Sequence, residues 1–369
     1  MRISYVAHYR DGTGYGEASK GYISALLQQG VEVVAIPYRL NDRNIVPPAD
    51  ILKAEKTKLR GIDKVVLHTL PYWFEPHIEI PTVGIFSTEM SGIPTEWVNN
   101  INKLNSSIVS SNQSLECCVN SGVIKRPTVV PYCVDITKYD KGYGKTEFID
   151  TLKKHGKTIF YNISEFVNRK NLSALLRAYY TEFSAKDDVH LIIKSNLSSV
   201  TPQTLGGIFQ KKEHEIIKGL NLNEKELPGV TFLPIYMNET DIYSLHNTCD
   251  IYVSASYGES WDLPLFDAMG FGKTPIYPAH TGYLNYMNRF VGYPVKSFQL
   301  PCFGLVDSDP KIYNSNFDFY SVDINDLRKQ MRHAFENKKE RESISDNGME
   351  NAKLYSYDLI GPVLRKALD

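Results

Sequence analysis

Short runs of β-branched and aliphatic residues return along most of the chain, each followed by a stretch with helical spacing, and this alternation restricts the fold more than any other feature. Residues 3–8 (ISYVAH) lead through the loop DGTGYG into a helical pattern, EASKGYISALLQQG, that ends at Gly30. VEVVAIPY at 31–38, DKVVLHTLP at 63–71, PTVGIFSTE at 81–89, SSIVSS at 106–111 and PTVVPYC at 127–133 continue the series, with TEWVNNINKLN and NQSLECCVNSG as helices among them. Residues 42–60, rich in Asp, Pro and Lys, read as a looser connection. Apolar runs separated by helices call for a mostly parallel sheet covered on both faces.

A polar, glycine-punctuated stretch at 135–157 interrupts the series, and a second one follows. It runs KTIFYNIS, LSALLRAYYTEF, VHLIIKS, a long helix near 202–219, VTFLPIY, ETDIYSLHNTC, DIYVSAS, LPLFDAMGFG and KTPIYPA. The expected architecture is α/β, two doubly wound domains in tandem facing one another across a cleft, with ligands beyond the carboxyl ends of the strands. Domain one is expected over 1–150 and domain two over 151–350, with a C-terminal helix at 351–369; the whole C-terminal part reads as two helices. A length of 369 residues, 42% of them hydrophobic, supplies material for about two cores.

The formal charge of -1 advertises no polyanion partner. Five cysteines, without zinc-type spacing, point to reduced thiols and a reducing compartment. No 18-residue apolar run and no leader pattern occurs, so the chain is expected in the cytoplasm, with at most peripheral contact at the inner membrane face. The histidines are scattered singly, and no metal site is expected.

Several residues could carry chemistry. In the loop from Gly12 to Gly16, the backbone at Gly14, Tyr15 and Gly16 could approach a bound anion at a helix N-terminus; a tight turn with close helix packing explains the same glycines. Glu259 follows the strand DIYVSA in a loop, while Asp267 falls in the helix that starts near Leu263. Two such carboxylates can accept hydrogen bonds from the hydroxyls of a polyol or ribose. Arg169, Lys170 and Asn171 stand before the helix LSALLRAYY, and Lys194 ends the apolar run VHLIIK. A helix start and a neighbouring strand end share one rim of a parallel sheet, so these cations can converge on a diphosphate. His68 and Glu89 occupy the equivalent rim of the first domain, where a buried, satisfied histidine is the competing reading for His68. The aromatics at 281–320, Phe303 among them, could form a stacking surface, although core packing accounts for most of them.

With these residues in view, the chain resembles the retaining GT-B glycosyltransferases of the family 4 (group 1) type. GESWDLPLFDAMGFGKTPIYPAHTGYLNYM is similar to the family's paired-carboxylate segment, and FVNRKNLSALLRAYYTEF to its phosphate-site region. FSTEMSGIPTEWVNNINKLNSSIVSSNQ and SGVIKRPTVVPYCVD resemble its acceptor-side pattern. The resemblance implies two Rossmann-like domains with the terminal helix crossing back onto the first. It implies that Glu259 contacts the donor sugar, Asp267 holds the nucleotide ribose, and Lys170, assisted by Lys194, neutralises the diphosphate. Gly14, Tyr15, Gly16, Arg169 and Leu263 would complete the donor contacts, with His68 and Glu89 on the acceptor side. Two departures stand out: Asp267 replaces the usual Glu, and Glu165 stands at the usual arginine position.

The activity so implied is retaining transfer of a hexosyl group from a nucleotide-diphosphate sugar to a hydroxyl of a glycan or lipid-linked glycan. It needs no tightly bound cofactor and no intrinsic metal. Two alternatives remain at this level. One is a glucosyltransferase acting on hydroxylated bases in DNA, with Lys53, Lys56, Lys58 and Arg60 as phosphate contacts; the other is a non-catalytic binding protein of the same fold. Donor base, sugar, acceptor and oligomeric state are not written in the sequence.

Overall fold

A computed structural model describes residues 1–302 and 311–369, and divides the chain into two compact units. The first comprises Met1–Lys138, Glu259–Asp262 and Lys353–Asp369; the second comprises Tyr139–Gly258 and Leu263–Ala352. The division after Lys138 falls inside the 135–157 stretch, upstream of residue 150, because the helix starting at Glu147 packs beneath the second sheet.

In the first unit the strands are β1 (Arg2–Ala7), β2 (Glu32–Pro37), β3 (Lys64–His68), β4 (Thr82–Phe86), β5 (Ser106–Val109) and β6 (Thr128–Val129). They form one parallel sheet in the order β2-β1-β3-β4-β5-β6. Helices α1 (Gly14–Gln28), α2 (Ala49–Glu55), α3 (Thr95–Asn102) and α4 (Asn112–Asn120) connect them. Helix α2 corrects the expectation of a loose connection at 42–60. Its seven residues stand amid the Asp-, Pro- and Lys-rich 42–60 stretch, yet Ile51 and Ala54 are buried and Asp50 accepts a hydrogen bond from Ser24 on α1.

The second unit repeats the plan. Its helices are α5 (Glu147–Lys154), α6 (Leu172–Glu182), α7 (Pro202–Gly219), α8 (Glu239–Thr248), α9 (Leu263–Gly270), α10 (Ile324–Glu336) and α11 (Lys338–Lys353). The strands β7 (Thr158–Glu165), β8 (Val189–Asn196), β9 (Gly229–Leu233), β10 (Ile251–Val253), β11 (Thr274–Pro278) and β12 (Tyr293–Val295) run parallel in the order β12-β11-β10-β7-β8-β9. A separate antiparallel hairpin joins β13 (Ser297–Pro301) to β14 (Asp318–Val322), built from part of the aromatic-rich 281–320 segment; Phe303 lies outside the described residues. The core is made by Phe160, Leu191, Ile193, Ile251 and Val253 of β7, β8 and β10, strands covered on both faces, with Leu175 and Leu176 from the buried face of α6.

Three helices, not two, close the chain, because α11 stops at Lys353 and α12 (Tyr357–Leu368) starts after a short break. Helix α12 belongs to the first unit and packs along α1. Its buried residues Ile360, Leu364 and Leu368 recur every fourth position on one face, and Val134 pairs with Ser356 just ahead of it. Pro362 sits inside the helix, where it removes one backbone donor without ending it. Both units therefore have the doubly wound, Rossmann-like form, with the last helix returned to the first.

Candidate functional site

In a doubly wound sheet the strand order reverses at one point, and the two strands there send their following loops to opposite sides, leaving a crevice at their carboxyl ends. In the second unit that point lies between β7 and β10, which are paired neighbours although far apart in sequence. β7 runs out through Glu165, which is exposed, into a short 3-10 turn, Asn168–Lys170. Asn171 then takes a left-handed conformation at φ 50° and caps α6, its Oδ1 accepting from the Ala174 amide at 3.3 Å. Its Nδ2 is buried and makes no hydrogen bond among the described residues. A buried amide donor of this kind, beside Lys170 and at a helix N-terminus, is suited to an anionic oxygen.

β10 leaves into the loop 254–258, which the Asn168–Lys170 turn grips. The Tyr257 amide and the Ser256 hydroxyl donate to the Arg169 carbonyl at 2.8 and 3.0 Å, and Arg169 Nη1 donates to the Gly258 carbonyl at 2.6 Å. Lys194 lies on β8 in register with Ile163 of β7, so it shares this rim. It is almost wholly buried; its Nζ donates to Asn196 Oδ1 at 2.7 Å and stands 5.9 Å from the centroid of the Tyr236 ring.

Helix α9 follows the same loop and begins at Leu263. Asp267, one turn in, accepts a hydrogen bond from the Tyr139 hydroxyl at 2.8 Å. Tyr139 lies over Gly270, where an added Cβ would overlap its ring, and meets Phe271 edge-on at 5.1 Å. Sequence reading missed Tyr139 because it stands 128 positions away in an unremarkable polar stretch. The intervening residues Glu259–Asp262 count with the first unit. Glu259 is buried there, Trp261 packs between Tyr132 (5.7 Å) and Tyr355 (5.4 Å), and Asp262 adopts φ 63°. A left-handed aspartate costs energy, so the turn into α9 is held by its surroundings.

The first unit has its own reversal between β1 and β3, and the remaining candidates gather around it. Thr13 caps α1 by accepting from the Gly16 amide at 3.1 Å. A Cβ on Gly16 would stand 2.9 Å from the His8 carbonyl, so close helix-to-strand packing requires this glycine, whereas Gly14 faces open space. Tyr15 accepts from the Ser87 amide at 3.3 Å, and burial, with a smaller contribution from the half-buried Glu89 past the end of β4, raises the pKa of the Tyr15 and Tyr132 hydroxyls. His68 is fully enclosed. Its Nδ1 bonds the Tyr5 hydroxyl at 2.8 Å, and the rings of Tyr15, Tyr22 and Tyr132 surround it. Burial, with the nearby His8, lowers its pKa to about 3, so it stays neutral.

His8, the last residue of the ISYVAH run, was not singled out from sequence although it ends a strand just before the glycine loop. Its Nδ1 meets the Tyr38 carbonyl at 2.7 Å and its Nε2 the Thr69 hydroxyl at 2.6 Å. A carbonyl only accepts, so Nδ1 carries the proton and Thr69 donates to Nε2. Burial brings its pKa down to about 4. Among the described residues no group of three or more His, Cys, Asp or Glu side chains is arranged to hold a metal ion, and no helix is long and apolar enough to cross a membrane.

Residues 145–299 match the family model described as Glycosyl transferases group 1. No curated protein matches the sequence. Among solved structures, HepE of Anabaena in complex with UDP-glucose is similar at a TM-score of 0.66 and 15% identity, over 100% of this chain and 99% of that one. Sucrose-phosphate synthase from Thermosynechococcus elongatus is similar at 0.66 and 13%, over 100% and 98%. A glycosyltransferase from Rickettsia africae reaches 0.65 and 16%, again over 100% and 98%.

Proposed function

We propose that this chain, whose residues 145–299 match the group 1 glycosyltransferase model, is a retaining glycosyltransferase that moves a hexosyl group from a nucleotide-diphosphate sugar to a hydroxyl of a glycan or lipid-linked glycan. The observation that carries the reading is the β7/β10 reversal point. There one rim gathers Lys170, Lys194, the N-terminus of α6 with the buried Nδ2 of Asn171, and α9 with Asp267.

As the anomeric carbon becomes oxocarbenium-like, negative charge accumulates on the departing diphosphate. Lys170, Lys194 and Asn171 stabilise it as preorganised donors, with no metal required of the protein. Asp267, steadied by Tyr139, takes the ribose hydroxyls, and Glu259 takes those of the transferred sugar. With retention, the acceptor hydroxyl approaches on the face the diphosphate leaves, and a phosphate oxygen accepts its proton. His68 and Glu89 stand on the acceptor side, and neutral His68 orders that side rather than moving a proton near pH 7. The UDP-glucose held by HepE makes a uridine-diphosphate hexose the first donor to try. All five cysteines are free and buried, in keeping with work in the cytoplasm, at the inner membrane face where the acceptor is lipid-linked.

A panel of nucleotide sugars, with the released nucleotide followed by mass, tests the activity. Calorimetry on two variants tests the roles. Asp267→Ala should weaken binding of the free nucleoside diphosphate, and Glu259→Ala should blunt discrimination among sugars on one nucleotide while sparing the diphosphate. Unchanged nucleotide binding by Asp267→Ala defeats the ribose assignment, and a chain that binds no nucleotide sugar of the panel defeats the function.

A further inference from the structure

We propose that Arg169 is a positioning residue, which uses its guanidinium to hold the turn carrying Lys170 in fixed relation to the loop that delivers Glu259. The inference rests on the donor-site reading above and assigns this cation a task other than binding phosphate.

The two segments come from strands that are adjacent in the sheet but 89 positions apart in sequence at the contact. Arg169 joins them by three hydrogen bonds. Its carbonyl accepts from the Tyr257 amide and the Ser256 hydroxyl, while its Nη1 reaches past them to the Gly258 carbonyl at 2.6 Å. One residue thus grips three consecutive loop residues by both its backbone and its side chain. The Ser256 hydroxyl, itself buried, lies 3.0 Å from the Arg169 carbonyl and 3.2 Å from the Gly258 carbonyl, so its single proton can go to either, whereas the Arg169 guanidinium serves Gly258 in both cases.

The opposite side of the loop is held as well. The Tyr257 carbonyl accepts from the Tyr320 amide of β14 at 2.9 Å, and the Tyr257 ring stacks on Phe319 at 6.3 Å with 19° between planes. The loop is therefore held on both sides, and its last residue, Gly258, is bonded covalently to Glu259. At the other end Arg169 is bonded covalently to Lys170. Slackening at Arg169 would let the Lys170 turn and the Gly258 end of the loop drift apart, and a displacement of about 1 Å between groups that act together is enough to lose much of the rate.

A short charge-assisted bond to a carbonyl fixes direction as well as distance, which an ammonium on a flexible stem does not do. That difference supplies the test. The full chain is compared with R169Q and R169K, using UDP as the calorimetric probe, donor turnover, and hydrogen exchange at the amides of residues 256–260. Positioning predicts that both variants bind UDP within about threefold of the parent, lose at least about tenfold in kcat, and exchange the Tyr257 amide at least about tenfold faster. R169K retains stem and charge, and serves alone should R169Q not fold. A tenfold loss of UDP affinity in R169Q that R169K restores would make Arg169 a phosphate ligand and overturn the proposal, as would unchanged exchange at Tyr257. A parent that neither binds UDP nor turns over any donor removes the functional reading, and the exchange arm then still decides whether Arg169 holds the loop.

Discussion

Truncating Leu364 to alanine should loosen the first unit and leave the second alone. Leu364 is wholly buried at the centre of the face that α12 turns to α1, flanked by Ile360 and Leu368 one turn away on either side. Its neighbours have little room to close in. Gly361 already lies against Gln29, where even an added Cβ would come within 3.0 Å, and the helix is further tied by Arg365 Nη1 to the Gln29 carbonyl at 2.9 Å. Lys64 of β3 also donates to the Leu368 carbonyl and, at 2.7 Å, to the Asp369 carbonyl. A buried Leu→Ala change costs about 2 to 5 kcal/mol depending on how far the site collapses, so a site pinned at both ends should cost about 3. Since each 1.4 kcal/mol is a factor of about ten, amides of residues 2–37 that exchange by opening of the unit should exchange roughly a hundredfold faster. Those of residues 158–196 should keep their protection. The neighbouring Val363, 44% exposed, is the control, and its replacement by alanine should cost less than about 1 kcal/mol. Equal effects at the two positions, or less than a threefold change for Leu364→Ala, would refute the packing argument.

Lys170→Ala and Lys194→Met should each lower turnover by about a hundredfold, as for other preorganised charge donors, while the half-buried Lys170 leaves the melting temperature nearly unchanged; turnover equal to the parent's in an assay limited by transfer removes the diphosphate assignment. Acid should destabilise the first unit. His8 and His68 have pKa values lowered to about 4 and about 3 by burial, so below the unfolded value of about 6.5 the unfolded chain binds protons that the folded one does not. Stability is then full above about pH 6.5 and falls on acidification, by about 2 kcal/mol per histidine at pH 5. Urea midpoints measured from pH 7 to pH 5 check this, and the pair Tyr5→Phe with His68→Phe should remove about half the slope; an unaltered slope counts against the buried neutral imidazole.

What could be read from the sequence was local. The loop after β10 and the turn after β7 are each written within a dozen residues of a strand, so their rim position follows from strand periodicity alone. The same logic places Lys194, although its strand runs on to Asn196. The missing pieces are contacts made across the fold. Tyr139 reaches Asp267 from before α5, and Trp261 finds Tyr132 and Tyr355 on separate segments. Helix α2 was hidden because two buried residues in seven produce no visible period, and its stability comes from α1 and β2 rather than from its own composition. His8 was passed over because a histidine closing an apolar run looks like any strand end until Tyr38 and Thr69 are seen to occupy both its nitrogens.

The two departures from the pattern the sequence resembles acquire a physical meaning once the partners are known. A carboxylate shortened by about one methylene has less reach, but one whose oxygen accepts from a tyrosine hydroxyl wedged over Gly270 also has less freedom. Direction is therefore gained where length is lost, and the rotamer entropy that a glutamate would surrender on binding a hydroxyl is already given up in folding. Glu165, at the place where an arginine is usual, lies exposed at the end of β7, and the arginine the chain does have, four positions on, is turned onto the Gly258 carbonyl. If the proposed donor site holds, the positive charge offered to a diphosphate comes from Lys170 and Lys194, with Asn171 adding a neutral donor at the start of α6. Under the proposed function, fewer cations at this rim would make leaving-group stabilisation more dependent on how accurately Lys170 and Lys194 are held, and in that sense the hydrogen bonds of Arg169 would bear on catalysis.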